Sequence, residues 1–117
     1  MRFMTIVKGS ENAGPPPQAL FDAIDQLMAE QTKSGVFVSA GGLKPTAHGG
    51  RVRITRGKLR VTDGPFTEAK EVIGGFAILN AASKDEAIAQ AKQFMELHIR
   101  HWPEWEGECE VREMEGP

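Results

Sequence analysis

Three apolar stretches and one alternating segment predict β-strands. They span residues 2–8, 36–40, 72–79 and 108–114. Successive strand side chains point to opposite faces, so Phe3, Thr5 and Val7 share one face of the first strand while Met4 and Ile6 share the other. The first three stretches are apolar on both faces, which is typical of strands that are covered on both sides.

Two segments with a helical period predict α-helices. The first begins after Pro17 and ends near Lys33, with Gly35 as a left-handed cap. The second begins at residues 83–86, a capping box in which a Ser oxygen and a Glu carboxylate satisfy free N–H groups. It must stop before Pro103, so we expect its end between His98 and His101.

Residues 51–62 lie between the second and third strands and alternate in a way that predicts a β-hairpin, with its turn at Arg56-Gly57. We expect its buried face to consist of Val52, Ile54, Leu59 and Val61. Without the hairpin the order is βαββαβ, the split-βαβ pattern. The sequence therefore predicts one α+β domain over residues 1–117, a ferredoxin-like protomer with an inserted β-hairpin.

The predicted strands carry more apolar surface than two helices can cover. Two helices hide one face of a four-stranded sheet, and monomers seldom expose a large contiguous apolar patch. We therefore expect a twofold homodimer that packs sheet on sheet. The alternative is that the hairpin folds over the second face of its own sheet, although four inward apolar residues would give it little cover.

Composition excludes several classes of protein. The chain has 117 residues, a net charge of -2 and one cysteine, which argues against a strongly cationic nucleic-acid coat and excludes an internal disulfide. No apolar run approaches the roughly 20 residues that span a bilayer, and the N-terminus does not resemble a secretory signal. We expect a cytoplasmic location. No phosphate-binding glycine loop or Ser-His-Asp arrangement is present, and we expect no cofactor.

The hairpin is strongly basic. A basic β-ribbon can enter a DNA major groove, but no aromatic residue lies between these cations and the net charge of the chain is negative. A solvated face that discourages aggregation is the simpler interpretation. A third is pairing with the acidic residues after position 103, within a protomer or across a dimer. The cations are Arg51, Arg53, Arg56, Lys58 and Arg60.

Residues 63–76, beginning Asp63-Gly64-Pro65-Phe66, resemble the signature of the DGPF group of YCII-related proteins. The resemblance continues through residues 41–46, 83–91 and 108–112. It implies a dimeric α+β barrel, in which ferredoxin-like protomers pair through their sheets. This agrees with the dimer expected from the two apolar sheet faces.

The wider family includes a dehydrochlorinase, and many members carry a His on the first helix and an Asp before a Pro-aromatic pair after the second helix. The resemblance implies that this His-Asp dyad takes part in acid–base chemistry in those proteins. The present chain departs from it at both points, because the first helix has Ile24 near the His position and the later segment reads His101-Trp102-Pro103-Glu104. The DGPF group is also often encoded beside extracytoplasmic-function sigma factors, which implies a regulatory setting.

The segment after the hairpin supplies the first candidate site residues. Asp63 and either Glu68 or Glu71 would line a pocket walled by Phe66, with one carboxylate tuned as a general base. The structural alternative is that Asp63 caps its own turn and Phe66 anchors the loop in the core.

Histidines supply the second set. His98 and His101 are three positions apart and would share a helix face, and the functional interpretations are acid–base use or a metal site with Glu104 or Cys109. The structural alternative is a favourable interaction with the helix C-terminus. His48 lies in a glycine-rich loop, and Cys109 reads as a small buried hydrophobe.

Two functional hypotheses follow. The first is a small-molecule-binding protein of the YCII-related class, extending to a cofactor-independent enzyme that uses Asp63, Glu68, His98 and His101 for acid–base chemistry. Its pocket would lie between helices and sheet or at the dimer contact. The second is a regulatory interaction module that works with a sigma factor through its hairpin and charged ends.

Overall fold

A computed structural model describes residues 1–116. The strands are β1 (Arg2–Gly9), β2 (Phe37–Gly42), β3 (Gly50–Thr55), β4 (Lys58–Asp63), β5 (Val72–Asn80) and β6 (Gly107–Glu113). The helices are α1 (Gln18–Ser34) and α2 (Lys84–His101). The antiparallel main sheet has the order β2-β5-β1-β6, so the predicted ferredoxin-like α+β protomer with an inserted hairpin is confirmed.

Both helices begin and end where the local sequence predicts. Gly35 caps α1 with φ of 81°, a left-handed conformation that glycine adopts without a steric penalty. Ser83 Oγ accepts a hydrogen bond from the Glu86 N–H at 3.1 Å, and Glu86 Oε2 accepts one from the Ala82 N–H at 3.0 Å. Neither helix in residues 1–116 has the length and apolar character needed to cross a membrane.

The two helices pack on the face of the sheet that carries Phe3 and Leu79, which face each other across β1 and β5. Phe3 is almost fully buried, and it forms a core cluster with Ala81 and Ala87 at one end of the sheet. This cluster anchors α2 above the paired ends of β1 and β5. The opposite end of the same face is much less filled.

The outer face of the sheet is also apolar at its centre. Met4 is paired with Ile78 and Ile6 with Phe76, and all four point away from the Phe3 face. Because both helices lie on the Phe3 side, no helix among residues 1–116 covers this outer surface. As the sequence predicts, the two helices cover one face of the sheet and leave apolar side chains on the other.

The hairpin is a separate two-stranded sheet, β3 with β4, and its turn lies at Arg56 and Gly57 as predicted. The expectation that its apolar face is buried is wrong for the protomer. That face is exposed because the hairpin does not fold back over the main sheet, which also contradicts the intraprotomer alternative. The exposed fractions are 69% for Val52, 73% for Ile54, 71% for Leu59 and 70% for Val61.

Candidate ligand-binding cavity

A cavity of about 590 Å³ lies between the helices and the less filled end of the sheet. Its volume falls within the range of sites that bind small organic molecules, about 300–1,000 Å³. The side chains of Leu20, Ile24 and Met28 on α1 line one wall, and Phe94 and His98 on α2 line another. This is one of the two positions that the sequence predicts for a pocket.

Small residues on the sheet create the empty space. Ala40 pairs with Ala77 and Gly42 with Gly75 across β2 and β5. All four belong to the face that carries Thr5 and Val7 of β1, because Ala77 and Gly75 pair with those residues. Side chains this small cannot reach the helices above them, so a gap remains where larger residues would fill the core.

His98 is the ionisable group at the centre of the α2 wall. Its side chain is 7% exposed, and its Nδ1 lies 3.1 Å from the carbonyl oxygen of Phe94, one turn earlier. Since a carbonyl can only accept, Nδ1 carries the proton in this contact and Nε2 is left with a lone pair. Within residues 1–116 the ring makes no other hydrogen bond, and it lines the cavity.

Burial keeps this imidazole neutral. Desolvation lowers the pKa of His98 below its ordinary value, and the hydrogen bond to Phe94 opposes that shift in part. At neutral pH the ring therefore presents Nε2 as a hydrogen-bond acceptor and a proton acceptor. This is the form that a general base requires.

Aromatic rings surround His98. Its ring centroid lies 4.9 Å from that of Phe94 and 4.8 Å from that of Trp105, and Trp105 stacks on Trp102 at 5.8 Å. Both tryptophans line the cavity. The sequence pattern gives no signal that would place either indole in the wall of a cavity.

Two glycines make room for Trp105. Gly9 and Gly107 face each other across β1 and β6. A Cβ atom at Gly107 would lie 2.3 Å from the indole ring and 2.5 Å from the Lys8 carbonyl oxygen, and one at Gly9 would lie 3.0 Å from the ring. The indole therefore lies over this glycine pair, where it lines the cavity. Nothing in the sequence pattern pairs these two positions.

The other predicted site residues lie elsewhere. Asp63 is exposed at the end of β4, Glu68 is exposed in the following loop, and His101 is the half-buried last residue of α2. None of the three lines the cavity, so the structure places His98 apart from the other candidates. The guanidinium of Arg51 donates to Glu68 and lowers the pKa of that carboxyl, which makes it a weaker base.

The Asp63-Gly64-Pro65-Phe66 segment forms a junction between the hairpin and the body. The Gly64 N–H donates to the Gly49 carbonyl at 2.9 Å, and the Phe66 N–H donates to Thr46 Oγ1 at 3.0 Å. The Arg51 guanidinium lies 3.7 Å from the centre of the Phe66 ring. Phe66 thus anchors the loop through this contact rather than in the helix-covered core.

Cys109 and Gln90 are among the other polar side chains that line the cavity. Cys109 is half-buried, and burial raises the pKa of its thiol, so it remains protonated and acts as a small apolar group. Gln90 lies two turns before His98, and its Oε1 is buried without a hydrogen-bond partner. Across residues 1–116 no group of three His, Cys, Asp or Glu side chains is arranged to hold a metal ion.

The lowered pKa of His98 predicts a specific pH dependence of stability. In the unfolded chain His98 becomes protonated below about pH 6.5, whereas in the folded chain its lowered pKa keeps it neutral to a lower pH. The contribution of neutral His98 to stability is therefore fully present above about pH 6.5 and is lost as the pH falls toward the folded pKa. Replacing His98 by Phe removes this loss. Between about pH 7.5 and 5.5, the free energy of unfolding measured with urea should fall more steeply in the native protein than in His98→Phe. Parallel curves for both proteins would contradict the prediction.

The comparisons with known proteins agree with the fold. The model of the YCII-related domain matches residues 1–96, and an uncharacterized protein of Rhizobium meliloti is 32% identical over 69 residues. That alignment covers 59% of this chain and 56% of the relative, so it spans little more than half of the relative's length. His98, Trp102 and Trp105 lie beyond the matched residues. The matched part covers most of the chain, which therefore belongs to the YCII-related family.

Proposed function

We propose that this protein binds a flat, largely apolar small molecule in the cavity, with His98 as its hydrogen-bond acceptor. The observation that carries the proposal is a buried, neutral imidazole whose Nε2 has no partner among residues 1–116 and which lines an aromatic-walled cavity. Phe94, Trp102 and Trp105 favour a ring system by offset or edge-to-face contacts.

The ligand should carry a hydrogen-bond donor. A ligand that covers Nε2 without donating to it separates this acceptor from water and costs free energy, whereas a ligand O–H or N–H directed at Nε2 avoids that cost. An apolar molecule of the same shape would leave the imidazole unsatisfied. The chemical class is therefore an aromatic or polycyclic compound with a hydroxyl or amine group.

The same geometry supports acid–base catalysis without a cofactor. Nε2 would accept a proton from an acidic O–H or C–H of the ligand, and the resulting imidazolium would be stabilised by the negative charge left on the ligand. The aromatic side chains Phe94, Trp102 and Trp105 form the wall around His98, where the proton transfer would occur. Asp63, Glu68 and His101 stay predictions, because their side chains do not reach the cavity described here.

A matched pair of ligands tests the proposal. We expect calorimetry to show that a naphthol binds about 3- to 10-fold more tightly than its methyl ether, which cannot donate, since one hydrogen bond contributes about 0.5–1.5 kcal/mol. In His98→Phe this preference should disappear while the methyl ether still binds. Equal binding of the two ligands by the native protein would contradict the role of His98.

His101→Phe provides the comparison that separates the two histidines. An unchanged preference for the naphthol in this variant would locate the acceptor at His98. Loss of the preference in His101→Phe, and not in His98→Phe, would instead support the prediction made for His101 from sequence. Failure of every such ring system to bind would contradict the small-molecule proposal itself.

We also propose that a second copy covers the outer sheet face, so that the protein is a homodimer of the dimeric α+β barrel type. Met4, Ile6, Phe76 and Ile78 support this, because they form an apolar centre on a surface that no described helix covers. Ion pairs of Lys8 and Arg112 with Glu110 lie beside this centre, as the polar rim of an interface would. A cytoplasmic location and an association with a sigma factor stay predictions.

A further inference from the structure

The hairpin presents two chemically different faces. Val52 pairs with Val61 and Ile54 with Leu59 on one face, and each of these side chains is about 70% exposed. Arg53 pairs with Arg60 on the opposite face. Four exposed aliphatic side chains on one side of the hairpin form an apolar patch, and a patch of this kind promotes association with another molecule.

The hairpin also lacks the support that a two-stranded sheet requires. Isolated hairpins are marginal in water, and stability normally comes from further strands or from packing on a helix. Here the contacts to the body lie at its base, where Arg51 meets Phe66 and Gly64 meets Gly49. The strands beyond that base extend away from the rest of the protomer.

The protomer is more extended and exposes more surface than a compact chain of the same length. The radius of gyration is 15.9 Å, whereas a compact chain of 117 residues has about 13.4 Å. The accessible surface is 8365 Å², whereas a compact monomer of 12.8 kDa exposes about 6,300 Å². The excess of about 2,000 Å² per chain is the size of surface that an obligate homodimer buries.

We propose that the hairpin is a dimerisation arm whose apolar face docks against a second copy of this chain. The inference rests on the sheet-face dimer proposed above and adds a second contact to it. A twofold axis repeats every contact, so each protomer gives its arm and receives the arm of its partner. The basic face of the arm stays outward, where Arg53 and Arg60 make no ion pair within residues 1–116.

A second copy fits this surface better than a different protein. The chain carries an apolar arm and a second apolar face on its own sheet, and one symmetric pairing covers both. A different protein docked on the arm would leave the sheet face to be covered by a separate contact.

The test is the dimer dissociation constant, measured by sedimentation of the full chain from nanomolar to high micromolar concentration. Ile54→Lys combined with Val61→Lys places charge on the apolar face of the arm. We expect it to raise the dissociation constant by about 100-fold or more. The matched control is Arg53→Ser combined with Arg60→Ser, two changes on the opposite face of the same strands, which should alter it by less than about 3-fold.

Three results would overturn the arm, and the second of them leaves the sheet-face dimer standing. A native protein that sediments as a 12.8 kDa monomer throughout the range would overturn both, and it would point to a different protein as the occupant. A native dimer that the arm variant leaves unchanged, but that Ile78→Lys dissociates, would overturn the arm alone. Equal weakening by the arm variant and by its control would also overturn the arm, because it would show an effect of charge or of hairpin folding.

Hydrogen exchange of the native protein gives a second measurement that needs no substitution. Amides of β3 and β4 should exchange at least about 10-fold more slowly in the dimer than after dilution to monomer, because the docked arm is stabilised by its partner. Equal exchange at both concentrations would overturn the proposal.

Circular dichroism shows whether the substitutions on the arm keep the protomer fold. The milder variant Val52→Ser with Leu59→Ser is compared with the lysine variant for this purpose.

Discussion

Replacing Gly107 by Ala should lower the free energy of unfolding and disrupt the packing of Trp105 at one end of the cavity. The added methyl group would lie 2.3 Å from the indole of Trp105 and 2.5 Å from the Lys8 carbonyl oxygen. The indole could move, but the carbonyl belongs to the neighbouring strand, so the backbone pairing of β1 and β6 must shift as well. Overpacking of this kind costs about 1–3 kcal/mol, and the backbone contact places the effect at the upper end.

A graded set of glycine variants checks this expectation. Gly9→Ala meets the same ring at 3.0 Å and should cost less, and Gly74→Ala meets nothing within 4 Å and should change stability by less than about 0.5 kcal/mol. Urea unfolding gives the ranking. Tryptophan emission should shift to the red in Gly107→Ala as Trp105 becomes exposed. An effect of Gly74→Ala as large as that of Gly107→Ala would contradict the explanation.

This glycine pair shows why the cavity was harder to predict than the fold. Alternation and helical periodicity are local signals, and they locate the strands, the helices and the hairpin turn to within one to two residues. The indole of Trp105 rests on Gly9 and Gly107, which are nearly a chain length apart. Sequence alone gives no register between β1 and β6, so it cannot show that two glycines meet beneath one ring.

His98 shows the opposite case. The sequence predicts it as a candidate acid–base residue on a face of α2 that it shares with His101. The structure adds what the sequence lacked, namely the burial of the ring, the Phe94 carbonyl that fixes the tautomer and the cavity next to Nε2. His101 shares the helix and the predicted role, yet the last turn directs it away from that wall.

The hairpin was predicted correctly as an element and wrongly as a buried one. Alternation of Val52, Ile54, Leu59 and Val61 shows that these side chains share a face, and it does not show what lies opposite. The usual assumption is that an apolar face belongs to its own chain's core. In this protomer the main sheet is closed on one side by α1 and α2, and the hairpin leaves the body at the junction near Gly64.

Gly64→Ala should have the second large effect, at that junction. A Cβ atom at Gly64 would lie 1.7 Å from the carbonyl oxygen of Thr46, a distance at which two backbone segments must separate. Thr46 cannot yield easily, because its hydroxyl donates to Glu11 at 2.8 Å and accepts from the Phe66 N–H at 3.0 Å. The substitution should therefore break the hydrogen bond from Gly64 to Gly49 and detach the base of the hairpin.

We expect Gly64→Ala to cost about 2–4 kcal/mol of unfolding free energy, the range of substitutions that force a backbone shift. Gly49→Ala is the matched control, because its Cβ would lie 3.6 Å from the same carbonyl oxygen, an ordinary contact, and its φ of -121° suits alanine. Urea unfolding compares the two. If the hairpin is the proposed arm, Gly64→Ala should also weaken the dimer, because a hairpin with a more mobile base loses more conformational entropy when it docks. Equal stability of the two variants would show that the glycine of this motif is not needed for the close approach to Thr46.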